Sequence, residues 1–206
     1  MHKLLRPFVS GVALRGRVRP DATAILLHHG YPRIAGHVAR VAGEARRLAA
    51  RCAVDETQAE TAAWLHDVSA VIPNEQRAGI CHALDIDVLP EEAGAPFILH
   101  QKLSAAMARE IWGIRDEAIL SAIGCHTTLK ADASLLDKVV FVADKIQWDQ
   151  PGKPPYLETL LATLDQSLDA AAFCYLDYLW QQRGRLRVLH PWFIAAYRHL
   201  SANSKH

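Results

Sequence analysis

The hydrophobic positions follow a helical period along nearly the whole chain, and no convincing alternating strand pattern interrupts it. The clearest case is Arg33 to Cys52, where apolar residues recur every three or four positions and form one stripe. The pattern predicts an all-α protein.

Polar caps and first-turn prolines mark the starts of the other predicted helices. Before the middle of the chain, we predict a helix capped by Asp21 and ending at Gly30, a helix opened by Asp55 with Gln58 and carrying Thr61 to Val68, and a helix beginning at Pro73. The next three predicted helices cover Phe97 to Trp112, Asp116 to about Cys125, and a segment opened by Ser134 with Asp137 that runs through Asp144 and Ile146. A long helix from Tyr156 to about Arg183 and a last helix from Pro191 complete the prediction. Glu91 to Pro96 is predicted to be a linker, and Thr127 to Ala133 a polar loop.

The proline-rich segment Gln150 to Pro155 is the clearest break in the chain. The part after it is too short to be expected to fold alone. We therefore predict a single domain, with an N-terminal arm or helix over residues 1–20, a core over residues 21–150 and C-terminal helices over residues 151–206 packed on that core.

Composition narrows the classes of function. The chain has 206 residues, of which 50% are apolar, and a formal net charge of +1. This balance predicts a globular protein without a nucleic-acid or anionic-membrane partner, so local groups must bind any anionic substrate. The apolar stretches are shorter than the roughly 20 residues of a membrane span.

The four widely spaced cysteines fit free thiols in a reducing cytosol, and we expect a cytoplasmic protein.

Histidine is unusually frequent, with eleven in the chain. The residues that draw attention lie at or just past predicted helix ends. They are His37, His66 with Asp67, His100, His126 with Thr127, and Asp144 with Lys145. Each has an ordinary explanation by itself, as a hydrogen-bonded core histidine or a solvated helix end. Their joint occurrence points to a shared site.

Asp67 and Asp144 each follow a strongly apolar helical stretch, which places carboxylates where a core is expected. A buried carboxylate costs several kcal/mol unless it is paired or binds a metal. No equally buried lysine or arginine is evident in these stretches, so a cation is required. Imidazole and carboxylate ligands suit iron, manganese or zinc, and such an ion activates water and polarises a phosphoryl oxygen. His100 and His126 would hold a second metal or bind substrate phosphate.

The order and spacing of these residues resemble the HD superfamily of phosphohydrolases. The finer pattern is similar to the YqeK-like branch, the bacterial symmetrical diadenosine-tetraphosphate hydrolases. The matching segments are His37-Val38, Ala63-Trp64-Leu65-His66-Asp67, Leu99-His100, Ala122 to Thr127, Leu136 to Ile146, and Leu189-His190-Pro191. The resemblance implies an HD-domain helical bundle with additional C-terminal helices.

The resemblance also implies roles for single residues. His37, His66, Asp67 and Asp144 would ligate one or two ions, with iron favoured over manganese or another divalent ion. Asp67, His100 and His126 would act in catalysis. The substrate-binding residues would be His100, His126, Thr127, His190 and Pro191, and to these we add Lys145 as a candidate phosphate-binding cation. The implied reaction is the symmetrical cleavage of diadenosine tetraphosphate into two ADP molecules.

Two positions depart from that family. A lysine expected three residues after the His-Asp pair is Ala70, and an arginine expected six residues after the last aspartate is Gln150. Lys102, Lys145 or Lys153 would have to compensate. The departures keep two alternatives open, an HD-type nucleotidase or phosphodiesterase with another nucleotide substrate and a non-catalytic nucleotide sensor. The sequence predicts a small-molecule nucleotide as partner and leaves the oligomeric state open.

Overall fold

The computed structural model describes residues 1–150 and 152–203, and every regular element within them is helical. The α-helices are α1 (Val18–His28), α2 (Pro32–Arg51), α3 (Glu56–Leu65), α4 (Asn74–Ala83), α5 (Pro90–Ala93), α6 (His100–Trp112), α7 (Glu117–Cys125), α8 (Leu135–Ile146), α9 (Leu157–Leu164), α10 (Leu168–Gln181) and α11 (Pro191–Asn203). Shorter 3₁₀ helices cover Lys3–Phe8, Val68–Val71, Pro96–Leu99 and Arg183–Arg185. The all-α prediction is confirmed. Pro151 of the predicted breaker and residues 204–206 of the predicted C-terminal segment lie outside the described residues.

Capping residues fix the helix starts that bear on the site. At α8, the Ser134 hydroxyl accepts the Asp137 backbone N–H at 3.1 Å, and the Asp137 carboxylate accepts the Ser134 N–H at 2.8 Å. At α7, the Asp116 carboxylate accepts the N–H of Ala118 at 2.9 Å. These bonds satisfy backbone donors that have no partner inside the helix, so both predicted starts are confirmed.

The predicted start of the first helix is wrong. α1 begins at Val18, so Asp21 lies inside the first turn. Its buried carboxylate accepts the backbone N–H groups of Arg15 at 2.8 Å and Arg17 at 2.9 Å. Asp21 therefore fixes the turn that leads into the helix. It accepts N–H groups of residues that precede it, whereas a helix-capping side chain accepts those of residues that follow it.

The long C-terminal helix predicted from Tyr156 to Arg183 is divided into α9 and α10. Ser167 adopts an extended backbone, and its hydroxyl accepts the N–H of Ala170 at 3.0 Å. A serine that caps a new helix stabilises a break that the continuous hydrophobic period does not reveal. The prediction of a linker over Glu91 to Pro96 is wrong in part, because α5 (Pro90–Ala93) covers its first three residues and Glu92 is fully buried.

The helices pack around a core in which α2 contacts α3 and α8, while α7 contacts α3, α6 and α8. Phe141 of α8 is the largest fully buried side chain. Downstream of the breaker, α10 packs on α8, α9 and α11. This packing agrees with C-terminal helices that rest on a core, although the division into three parts stays a prediction. None of the described helices is both long and apolar enough to span a membrane.

Candidate metal centre

The predicted metal-ligating residues lie at helix ends that meet in space. His37 lies in the second turn of α2, His66 and Asp67 follow α3 directly, and Asp144 lies in the last turn of α8. His100 is the first residue of α6, and His126 is the residue that ends α7. α3 stops at Leu65 and does not continue to Val68 as predicted. This early end lets two adjacent side chains, His66 and Asp67, face the same centre.

One cluster joins His37, His66, Asp67 and Asp144. The Nε2 atom of His37 lies 3.0 Å from Oδ1 of Asp144 and 3.3 Å from Nε2 of His66. Oδ2 of Asp67 lies 3.4 Å from Nε2 of His66 and 3.9 Å from Nε2 of His37. The donor atoms of His37, His66 and Asp67 all lie within 4.8 Å of one another, which is a spacing that one ion can bridge.

A second cluster uses the other oxygen of the same aspartate. Oδ1 of Asp67 lies 3.3 Å from Nε2 of His100 and 3.5 Å from Nε2 of His126. The two imidazole Nε2 atoms are 3.1 Å apart, and the Thr127 hydroxyl lies 3.1 Å from each of them. Asp67 therefore belongs to both clusters, with one carboxylate oxygen directed to each.

Helix ends also orient three of the imidazoles. In each, Nδ1 lies at hydrogen-bonding distance from the carbonyl oxygen three residues earlier. The pairs are His66 with Ala63 at 2.6 Å, His100 with Phe97 at 2.7 Å, and His126 with Ile123 at 2.8 Å. The last carbonyls of a helix lack an N–H partner, so they are free to accept these protons. A proton held on Nδ1 leaves Nε2 as a lone pair directed into the site.

This arrangement fits a divalent metal and is unfavourable without a cation. The Nε2 atoms of His37 and His66 face each other, as do those of His100 and His126, so in each pair one ring must carry a proton on Nε2 or two lone pairs approach each other. Carboxylate oxygens add negative charge at the same point. A cation between these atoms converts the repulsion into ligation, and imidazole with carboxylate is a suitable donor set. The cluster therefore offers donor atoms of the kind that could hold a divalent ion.

The charges in the site are strongly coupled. Burial acts to raise the pKa of Asp67, but the facing imidazoles, first of all His66, outweigh it and hold that pKa well below its usual range. Burial acts to lower the pKa of His66, but Asp67 and Asp144 raise it to about 9. For His100 burial prevails and lowers the pKa to about 4, so His100 is neutral at pH 7 and offers a lone pair.

The expectation that no buried lysine or arginine lies beside these carboxylates is wrong. A buried lysine does accompany Asp144, because the ammonium of the adjacent Lys145 lies 2.5 Å from Oδ2 of Asp144. Lys145 also lies over the rings of Phe141 and Tyr175. Burial acts to lower the lysine pKa, but the Asp144 carboxylate outweighs it and the pKa is raised. The case for a metal therefore rests on the converging imidazoles and Asp67 more than on Asp144.

Beside the second cluster lies a cavity of about 240 Å³ with mostly apolar walls. Its polar and charged lining comes from Thr127, Thr128, Lys145, Arg187 and His190. The walls are formed by Phe97, Ile98, Tyr175, Leu179, Leu186, Val188 and Phe193. Three residues that the sequence predicts to bind substrate, Thr127, Lys145 and His190, thus share one cavity.

Both nitrogens of the buried His190 already have partners. Its Nε2 lies 3.2 Å from the carboxylate of the buried Glu92, and its Nδ1 accepts the backbone N–H of Trp192 at 3.1 Å. His190 therefore fixes the start of α11, and both of its ring nitrogens are already engaged within the protein. Pro191 does not line this cavity. Lys102, considered as a compensating cation, contacts Glu92 at 2.6 Å and does not line this cavity.

Several residues that support the site were missed by sequence reasoning. The buried Gln101 accepts the N–H of Thr127 at 3.1 Å through its side-chain oxygen, and it donates to the Thr128 hydroxyl at 3.2 Å. Ser69 donates to the backbone oxygen of His100 at 2.7 Å. No motif identifies these residues, although the position of Gln101 directly after His100 is a signal that could have been followed.

Arg77 of α4 was also missed. Its buried guanidinium donates to the carbonyl oxygens of Ile72 at 3.0 Å and Phe97 at 2.7 Å. The Phe97 carbonyl is the one that also binds His100 Nδ1, so Arg77 helps to fix the acceptor that orients this imidazole. The sequence shows Arg77 only as one charged residue of an otherwise ordinary amphipathic helix.

Comparison with known proteins adds family information to this geometry. The model of the HD domain family matches residues 34–149. A Bacillus subtilis (strain 168) protein named symmetrical bis(5'-nucleosyl)-tetraphosphatase is 31% identical over 141 residues, covering 64% of this chain and 72% of that protein. A protein from Lactococcus lactis subsp. cremoris, named only by its position in the pepC 5' region, is 44% identical over 147 residues and covers 71% and 74% of the two chains.

A solved structure is similar over most of its length. It is a protein from Clostridium acetobutylicum described as an HD superfamily hydrolase involved in NAD metabolism. The TM-score is 0.81 at 26% sequence identity, and the match covers 89% of this chain and 97% of that one.

Proposed function

Because this chain belongs to the HD domain family, we propose that it cleaves a dinucleoside tetraphosphate symmetrically into two nucleoside diphosphates. At the coarser level the chain is a metal-dependent phosphohydrolase that acts on nucleotides. One observation carries the proposal. A single carboxylate, Asp67, faces two groups of imidazoles beside a mostly apolar cavity whose lining includes Lys145 and Arg187.

The symmetrical reaction is supported by the relatives. Two proteins named symmetrical bis(5'-nucleosyl)-tetraphosphatase, from Bacillus subtilis and Halalkalibacterium halodurans, are 31% and 35% identical to this chain. In such a reaction water adds to one of the two central phosphorus atoms, and the bridging oxygen leaves with the other half of the molecule. Each product then carries two phosphates.

For the metal we propose two ions, with iron as the metal and manganese as the alternative. His37, His66, Asp67 and Asp144 would hold one ion, and Asp67, His100 and His126 would hold the other. The proposed donor atoms are all nitrogen and oxygen, which suits iron and manganese. The adjacent Cys125 is not proposed as a ligand, because burial raises the pKa of its thiol and so disfavours the thiolate that binds metals. A bound pair of such ions would activate water and neutralise charge on the transferring phosphoryl group.

The chain's own residues would orient the reactants. The apolar walls of the cavity would exclude water from one nucleoside, while the Thr127 hydroxyl would donate to a phosphate oxygen next to His100 and His126. Gln101 accepts the backbone N–H of Thr127 and so holds the Thr127 hydroxyl in place before substrate binds, which lowers the entropy cost of the reaction. The low pKa of His100 favours a role as ligand over the alternative in which protonated His100 stabilises the leaving phosphate.

The proposal is tested by a nucleotide panel together with elemental analysis of protein purified without added metal. We expect diadenosine tetraphosphate to yield two ADP and no AMP or ATP, and iron to be present at up to two ions per chain. Release of phosphate from mononucleotides without any turnover of the dinucleotide would instead identify a nucleotidase. Formation of AMP with ATP would exclude symmetrical cleavage.

A further inference from the structure

An anionic substrate needs cationic partners in this site beyond the metal. A dinucleoside tetraphosphate carries about four negative charges at neutral pH, by analogy with the charge of other phosphate groups. The chain has a net charge of only +1, so no global field attracts such a molecule. Local lysine and arginine side chains must therefore supply the attraction.

Most cations near the site already have partners. Lys145 contacts Asp144 at 2.5 Å, and Lys102 contacts Glu92 at 2.6 Å. Arg77 is buried and donates to two backbone carbonyls. Each of these groups is already engaged by an acidic side chain or by backbone carbonyls of the protein itself.

Arg187 differs from them. It lines the cavity together with Lys145 and Thr127, and its side chain is exposed. Within residues 1–150 and 152–203, no acidic side chain forms an ion pair with its guanidinium. Its neighbours Leu186 and Val188 also line the cavity and hold the backbone of Arg187 at its edge.

We propose that Arg187 binds a phosphate of the nucleotide that occupies this cavity, and that it determines the affinity of the enzyme for polyphosphate substrates. The proposal rests on the proposed function for the position of the substrate. A planar guanidinium donates two parallel hydrogen bonds to phosphate oxygens, and Arg187 is free to do so. Because Arg187 is not among the proposed metal ligands, it acts on binding and not on the chemical step.

The test compares R187A with R185A. Arg185 is exposed, ends the 3₁₀ helix Arg183–Arg185 and does not line the cavity, so its removal changes the net charge equally. Two readouts are measured, the Kd for ADP by calorimetry and the steady-state constants for whichever nucleotide the wild-type enzyme hydrolyses. We expect R187A to weaken ADP binding and raise KM roughly tenfold, with kcat within about twofold, and R185A to resemble wild type. R187K should recover part of the affinity.

The outcomes separate this proposal from the proposed function. If ADP binding depends on Arg187 while diadenosine tetraphosphate is not hydrolysed, the phosphate site stands and the symmetrical reaction fails. If the dinucleotide is cleaved to two ADP while R187A and R185A behave alike in both readouts, the reaction stands and the role of Arg187 is overturned. A tenfold fall in kcat of R187A with unchanged KM would also overturn it.

Discussion

At the scale of single residues, Asp67 is the side chain that the two proposed metal clusters share. Its two carboxylate oxygens face different imidazole pairs, at 3.4 Å from His66 and at 3.3 Å from His100. Asp144 contacts only the first cluster and already has Lys145 as a partner. The residues of the site should therefore differ in how much metal each one retains.

We expect D67A to lose both ions and all measurable turnover, because both clusters lose their shared ligand. H126A should retain the ion held by His37 and His66 and lose the other, since His126 belongs to the second cluster alone. The measurement is metal content per chain after gel filtration, read beside activity. H82A serves as control, because His82 lies on α4 and is not part of either cluster. Full metal content in D67A would contradict the shared-ligand arrangement.

The sequence predicts the site residues that are ionisable but follow strongly apolar segments of the chain. Asp67 and Asp144 follow apolar stretches, and His-Asp pairs at a helix end are recognisable without a structure. Gln101 and Arg77 were not recognisable, because an amide or a guanidinium on an amphipathic helix looks the same whether it faces water or a backbone carbonyl. Only the tertiary packing decides that Arg77 meets Phe97.

At the scale of elements, helix ends build the site. Near the ends of α3 and α7, the carbonyl oxygens of Ala63 and Ile123 accept hydrogen bonds from Nδ1 of His66 and His126. Both histidines directly follow the last residue of their helix. The helix period in the sequence predicted these elements well, but it did not predict where packing and capping would stop them. α3 ends three residues early, and Ser167 divides the last long helix.

A buried ion-pair network joins three of these elements and gives a prediction of stability. Glu92 of α5 contacts Lys102 of α6 at 2.6 Å and His190, before α11, at 3.2 Å. E92Q would leave the mostly buried Lys102 ammonium without its carboxylate, and breaking such a pair costs about 3–5 kcal/mol. We expect urea denaturation at pH 7 to show a loss of that size. E91Q should lose little, since Glu91 is exposed.

The same network predicts the direction of a pH effect. Burial acts to raise the pKa of Glu92, but the contacts with His190 and Lys102 outweigh it and the pKa is lowered from its usual 4.5. A carboxyl whose pKa is lowered by folding stabilises the protein above its unfolded pKa, and that stabilisation is lost as the pH falls through the folded pKa. The difference between wild type and E92Q should thus be constant from pH 6 to 8, roughly, and shrink below about pH 4.5. Both proteins should be stripped of metal, and a difference that grows on acidification would contradict the assignment.

At the scale of the whole molecule, the metal centre joins parts of the chain that are remote in sequence. His37 and Asp144 are separated by 107 positions and meet at 3.0 Å, while the remaining proposed ligands lie on or directly after α3, α6 and α7. A ligand bound only by the folded state stabilises it by about 2.7 kcal/mol at a free concentration of 100 times Kd. Metal should therefore stabilise the entire helical domain and not one loop.

Removal of the metal by a chelator should lower the melting temperature of the wild-type protein by about 5–10 °C, which is the shift expected for roughly 2.7 kcal/mol in a chain of this size. The physical reason is that stripped imidazoles and carboxylates again face one another across four or more helices. Differential scanning calorimetry before and after chelation, with metal restored in a third sample, measures the effect. D67A treated in the same way should show no shift, because it has no ion to lose. If stripped and reloaded wild-type protein melt at the same temperature, the ions do not bridge the helices, and a peripheral metal site would have to replace this centre.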